Sequence, residues 1–227
     1  VNFGRGSYVE YSDYDINRDA GDGTTLTPTN KGTTNNTGDN KNWTTEGFLL
    51  FRQKLGKPGR TISLNTRYSF SGNELDGLNQ SLTQTFGTSP ATEFVNQRID
   101  RNSNSYSVNT RLVYTEPLGK DFYLEANYSY GWNKNTSVKN AYNSGNNSLL
   151  NPEKFGDIVY VSEGEALDAT YSNDITNIGQ NHSAGANIMW QKDKIRAQLG
   201  VSANPTLTKN VTNGKTYEST VVKWSPQ

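Results

Sequence analysis

Phe122-Tyr123-Leu124-Glu125-Ala126-Asn127-Tyr128-Ser129-Tyr130-Gly131-Trp132 decides the fold. Every second residue, from Phe122 through Leu124, Ala126, Tyr128 and Tyr130 to Trp132, is apolar or aromatic; between them stand Tyr123, Glu125, Asn127, Ser129 and Gly131. Successive side chains of an extended chain point to opposite faces, so a period of two predicts a strand with one apolar and one polar side. Its length matches the roughly 9–11 residues a tilted strand needs to cross a bilayer.

The same period recurs on both sides of it. Over 61–71, Ile62, Leu64, Thr66, Tyr68 and Phe70 alternate with Ser63, Asn65, Arg67 and Ser69. Over 105–115, Tyr106, Val108, Thr110, Leu112 and Tyr114 alternate with Ser105, Ser107, Asn109 and Arg111. Residues 183–190 set Ala184, Ala186, Ile188 and Trp190 against Ser183, Gly185, Asn187 and Met189, and 195–203 set Ile195, Ala197, Leu199, Val201 and Ala203 against Arg196, Gln198, Gly200 and Ser202. A soluble sheet buried on one face also alternates. Two features favour a bilayer: aromatic residues gather at the ends of the apolar faces, as interfacial girdles require, and charged residues stand mid-strand on the other face, as a wet lumen allows. The pattern therefore places Ile62, Leu64, Leu112, Leu124, Ile188 and Leu199 toward lipid, and Asn65, Arg67, Asn109, Arg111, Glu125, Asn127 and Arg196 toward a polar interior.

Tight turns rich in Gly, Pro and Lys are expected at 55–60, 116–121 and 191–194, with long polar loops at 15–41, 87–92 and 144–164. Short turns on one side and long loops on the other are the asymmetry of bacterial barrels. About eight strands follow, near 2–14, 42–55, 61–86, 93–116, 121–143, 165–191, 195–210 and 215–224, within one segment spanning 1–227. Helix signals are nearly absent; Asn151-Pro152-Glu153-Lys154 could start one short turn. Ser63-Leu64-Asn65-Thr66-Arg67 recurs as Ser107-Val108-Asn109-Thr110-Arg111, a repeat of wall-strand requirements and not of a hairpin. The fold class read from this pattern is all-β, an antiparallel transmembrane β-barrel wall.

Composition agrees. Only 32% of the 227 residues are hydrophobic and Tyr (13) outnumbers Phe (8), as when alternate residues stay wet. With no Cys and one His, disulfides, thiolate sites and multi-His metal sites are excluded. The 22 basic and 22 acidic residues balance, so no bulk charge points to a nucleic-acid partner. Asp13, Asp15, Asn17 and Asp19 place oxygen ligands at alternate positions, as a structural Ca²⁺ loop does, but Arg18 stands where the turn glycine belongs and Thr24 where the closing Glu belongs. No other cofactor is expected. Glu163, Glu165 and Asp168 supply carboxylates without any sign of the raised pKa that acid catalysis needs, so no enzyme is expected. His182 has no obvious partner in sequence, and Tyr142, Tyr160 and Tyr171 lie where outer loops could stack on flat ligands or simply pack.

Leu55-Gly56-Lys57-Pro58-Gly59-Arg60-Thr61-Ile62-Ser63-Leu64-Asn65, Tyr114-Thr115-Glu116-Pro117-Leu118-Gly119-Lys120 and Phe122-Tyr123-Leu124-Glu125-Ala126-Asn127-Tyr128-Ser129-Tyr130 resemble the barrel of TonB-dependent receptors, in the outer membrane protein beta-barrel family. A weaker likeness runs through 216–226. The resemblance implies an outer-membrane location, a parent barrel of about 22 strands, a plug inside it, a TonB energy-coupling partner, and import of a bulky nutrient such as a glycan or siderophore. No plug or coupling box is recognisable in this sequence, so the resemblance implies an arc from the middle of a larger receptor. Two other readings stay open at this point: a soluble or surface β-sandwich that binds glycans, and a small closed barrel serving as a passive pore or structural element.

Overall fold

The computed structural model describes residues 1–19, 21–192 and 194–226. They form one antiparallel sheet of β1 (Asn2–Asp19), β2 (Leu26–Lys54), β3 (Thr61–Thr85), β4 (Ala91–Gly119), β5 (Phe122–Asn143), β6 (Ala166–Leu167), β7 (Asn173–Lys192), β8 (Ile195–Thr212) and β9 (Lys215–Pro226). Each strand pairs with its neighbour in sequence, except that the two-residue β6 pairs with the far end of β5 and leaves β7 beside β5. The sheet is an open meander: β1 and β9 are its two edges and do not pair with each other.

Successive strands are staggered. Ile62 is the second residue of β3, yet its rung, running through Tyr114 and Ala126, reaches Ala186, six residues from the end of β7. A net shift of this kind is the shear by which a sheet curls toward a barrel. Among the described residues one sheet exists and no second layer packs on it, which removes the β-sandwich; the open strand order equally removes a closed eight-stranded barrel. Besides two prolines, Pro117 and Pro152, the apolar residues buried among those described are Leu82, Ala141, Ile158 and Met189, so no hydrophobic core holds the sheet together.

The expected strand positions hold, but the loop at 15–41 is corrected. β1 and β2 form a continuous hairpin with partners from Asn2–Thr44 to Asp19–Leu26, broken by one bulge at Ile16/Asn17. Polarity suggested a flexible loop there; Thr-rich sequence with both faces wet still makes a strand when its backbone groups are paired on both sides, as β2 is by β1 and β3. The loop at 87–92 likewise shortens, because β4 begins at Ala91. The strand expected over 165–191 divides into β6 and β7. Only 144–165 remains a long connection, with single 3-10 turns at Asn147–Leu149 and Phe155–Asp157, the second directly after the Asn151–Lys154 stretch. Asp193, in the turn expected at 191–194, lies outside the described residues.

Turn chemistry fixes the hairpin ends. Asn213 and Gly214 both take positive φ, 48° and 78°, the two-residue turn whose twist matches that of its strands. At 55–60 the chain closes with Leu55 N–H donating to the Arg60 carbonyl at 3.0 Å.

Candidate functional site: the two faces of the sheet

Paired residues in an antiparallel ladder point to the same side. Leu64 faces Leu112, Leu112 faces Tyr128, and Leu124, Ile188 and Leu199 share one rung. With Ile62 opposite Tyr114, all six residues assigned to lipid by sequence lie on one face. From Ile62 to Phe70 on β3, Tyr106 to Tyr114 on β4, Phe122 to Trp132 on β5, His182 to Trp190 on β7 and Ile195 to Ala203 on β8, this face carries no Lys, Arg, Asp or Glu. At about 3.3 Å per residue and a barrel tilt, the band is about 25 Å tall. Among the described residues nothing covers it: Ile188 is 52% exposed and Leu199 77%.

Aromatic rings mark both rims. Phe122 and Trp190 face each other at one end. At the other, Phe70 lies 5.2 Å from Tyr68 and 5.7 Å from Tyr106, centroid to centroid. His182 belongs to this rim and has partners the sequence did not reveal: its Nδ1 is 2.8 Å from the Tyr128 hydroxyl and its ring 5.0 Å from that of Tyr130.

Asn65, Arg67, Asn109, Arg111, Glu125, Asn127 and Arg196 all share the opposite face. Small polar side chains are crowded here: Asn187, next to Ile188 in the chain, is 3% exposed, and Ser202 is 2%. Side chains converge on the inner side of a curved sheet and splay on the outer side, so the polar face is the concave one. Asn65, Arg67, Asn109 and Arg111 line a concavity of 580 Å³ together with Ser129 and Ser183.

Beyond the rim the strands continue and the loop at 144–165 folds onto the same face as the apolar band. Arg98 donates to both Glu165 carboxylate oxygens, at 2.6 and 3.2 Å, and lies 4.4 Å over the Tyr142 ring. Tyr160 donates its hydroxyl to the same carboxylate. The Arg98 guanidinium, then Tyr160, hold Glu165 below the ordinary carboxylate range; burial first, then the Glu165 hydrogen bond, pushes Tyr160 up to about 12. Asp168 accepts from Asn143 at 2.9 Å and Gln97 at 3.1 Å and is lowered, chiefly by Asn143. A lowered, anion-stabilised carboxylate suits an ion pair and not a general acid. Sequence reasoning missed this latch because its two charged halves lie 67 positions apart.

At the opposite end, Glu116 ties two turns together. Arg60 donates to it twice, at 2.7 and 2.8 Å, and Lys57 stands at 3.4 Å. The Arg60 hydrogen bonds lower Glu116 to about 2. The calcium candidates Asp13, Asp15, Asn17 and Asp19 lie along β1 as extended strand. Asp15 is 4.0 Å from Lys31, Asp19 accepts from the backbone N–H groups of Gly21 and Gly23, and among the described residues no group of three acidic or His side chains gathers as metal ligands.

The fold and site define an open antiparallel sheet with one uncovered apolar face and one polar concave face. No protein-family model matches the chain, and no curated protein matches its sequence. Among solved structures, the ferripyoverdine receptor of the outer membrane of Pseudomonas aeruginosa, bound to ferripyoverdine, is similar at 10% identity and a TM-score of 0.32, over 99% of this chain and 38% of that one. A likeness of that degree carries no argument, and the chain spans well under half of that receptor's length.

Proposed function

We propose that this sheet is an arc of the wall of a barrel in a bacterial outer membrane, and that the barrel is the translocation path of a TonB-dependent receptor importing a bulky nutrient. One observation carries the first half: a charge-free apolar band about 25 Å tall, uncovered by any described residue and rimmed by aromatics, backs onto a polar face. In water that band would be a large exposed apolar patch; in a bilayer, lipid covers it. The unpaired edges of β1 and β9 require further strands, because backbone groups in hydrocarbon must all be paired. The receptor assignment, with its plug and TonB partner, rests on the sequence resemblance at 55–65 and 114–130. The polar concave face gives a hydroxyl-rich or charged solute the wet surface it needs.

Single cysteines test the wall in the protein as it stands in its native membrane. Those replacing Asn127 and Arg196 are expected to react with a small water-soluble thiol reagent, and those replacing Leu64 and Leu124 to react poorly. Equal labelling of both faces overturns the wall. The receptor assignment is tested separately, by uptake: collapse of the proton gradient is expected to abolish import of the nutrient, and import that persists overturns it.

A further inference from the structure

The recurring Ser-x-Asn-Thr-Arg pattern acquires a meaning from the strand register. Its two copies run in opposite directions on β3 and β4, and the pairing centres on Thr66 opposite Thr110, whose hydroxyls are 3.2 Å apart. A local two-fold relation results: Asn65 faces Arg111, and Arg67 faces Asn109. The concave face therefore carries a square with guanidiniums at one pair of opposite corners and carboxamides at the other. Diagonal neighbours across an antiparallel pair lie about 7–8 Å apart, a gap that arginine stems span from either end.

The square lines the 580 Å³ concavity, which Ser129 and Ser183 extend across β5 and β7. Arg60 and Arg98 each hold a carboxylate, but neither Arg67 nor Arg111 forms an ion pair among the described residues. Of the acidic groups on this face, Glu46 is one diagonal step from Arg67 across β2 and lines an adjoining concavity with Arg67 and Asn109, but it forms no ion pair with Arg67 and does not line the square's own concavity; Glu125 is four residues beyond Ser129 on β5. Two like charges on one diagonal repel, and Glu46 comes within a diagonal step of Arg67 alone, so the square carries a local excess of positive charge.

We propose that the Arg67–Arg111 square binds an oxoanion, the carboxylate, phosphate or sulfate group of a solute inside the barrel. Each guanidinium presents two parallel N–H groups to the oxygens, and the Asn65 and Asn109 amide N–H groups and the Ser129 hydroxyl are further donors beside them. Binding removes the repulsion along the diagonal. The inference rests on the concave face being the lumen, and its test separates the two ideas.

A cysteine replacing Ser129 reports the local charge in the whole protein in its membrane, read with an anionic and a cationic thiol reagent of equal size. The anionic reagent is expected to react faster, on the order of tenfold relative to the cationic one. Inorganic phosphate is expected to slow it. R67Q and R111Q are each expected to reduce the preference part-way, and the double variant to abolish it together with the phosphate effect. Equal rates for the two reagents, or a preference that survives both changes, overturn the anion site and leave the lumen standing. Cysteines replacing Ser129 and Arg196 that are both labelled no faster than one at Leu124 overturn the lumen itself, and this proposal with it. Slow labelling by both reagents at Ser129, with fast labelling at Arg196, means that another segment fills the square, and overturns a solute site.

Discussion

The outward face of β3 changes character halfway along one uninterrupted strand. From Ile62 to Phe70 it reads Ile62, Leu64, Thr66, Tyr68, Phe70; from Gly72 on, the same face reads Gly72, Glu74, Asp76, Leu78, Gln80, Leu82, Gln84. The backbone ladder is identical in both halves, without a register shift against β2 or β4. Pairing is therefore indifferent to what the side chains are, and their chemistry records the medium outside. In the upper half three carboxylates, Asp39, Asp76 and Asp100, stand on one rung across β2, β3 and β4, tolerable only in high dielectric. Higher still the chain supplies its own cover: Asn96, fully buried, donates to the Val159 carbonyl at 3.0 Å, and Gln80 donates to Asn96. Among the described residues the lower half has no such cover and no charged group that would need one, and its Thr66 and Thr110 hydroxyls lie 3.2 Å from each other.

That contrast is open to direct attack. Leu64→Arg and Leu112→Arg, each placing a charge inside the band where the two residues face each other, are expected to cost about 2–4 kcal/mol of barrel stability in lipid vesicles, measured by denaturant unfolding. Val138→Arg, also apolar to charged on the outward face but above the rim, is expected to stay within about 0.5 kcal/mol. Similar costs at both heights would erase the distinction between the halves.

A smaller effect sharpens the rim between them. Gly47 stands opposite Tyr68, and a Cβ there would come within 2.7 Å of the Tyr68 ring. The glycine leaves room for the ring to lie across the neighbouring strand. Gly47→Ala is expected to displace Tyr68 and cost about 1 kcal/mol, whereas Gly6→Ala, with nothing within 4 Å, is expected to be silent. Near-ultraviolet circular dichroism of the aromatic rim is the accompanying readout; an unchanged signal in Gly47→Ala would deny the packing.

The lower half was legible in the sequence because alternation is a local code. Leu64 and Arg67 reveal their faces to anyone counting by twos, and registers on five strands agree with the count. The upper half was not, for two physical reasons. Where both faces are wet the period of two disappears, so 30–41 looked like loop although it is paired on both sides. The contacts that fasten the 144–165 loop join residues remote in sequence, such as Arg98 with Glu165 and Gln80 with Ile158, and no local pattern announces them. The oxoanion square lay between: its residues were visible, but the two-fold pairing that brings them together exists only once the register is known.

The smallest expected effect concerns how the upper cover is held, and it depends on pH. Glu165 is lowered from an ordinary value of 4.5 chiefly by the Arg98 guanidinium, with Tyr160 second. A carboxyl whose folded value is depressed contributes attachment that is fully present above its free value and lost as pH falls through the folded one. The 144–165 loop is thus expected to stay fastened from neutral pH down to about 4.5 and to loosen below it. Tyr160, pushed up to about 12, remains a hydrogen-bond donor across that whole window, so within the Arg98 latch the acid limb belongs to Glu165. Hydrogen exchange at Gly145 and Val161, whose N–H groups bond to the Val161 carbonyl and the Ser144 hydroxyl, reads the attachment. Faster exchange is expected as pH drops from 5 to 3, after correction for intrinsic rates, while amides of the lower ladder stay protected. Arg98→Gln is expected to raise exchange at pH 6 to nearly its acid level and flatten the profile. A profile that persists in Arg98→Gln would place the titrating group elsewhere, and the upper wall would then hold its cover by the neutral contacts of Gln80, Asn96 and Ser144 alone.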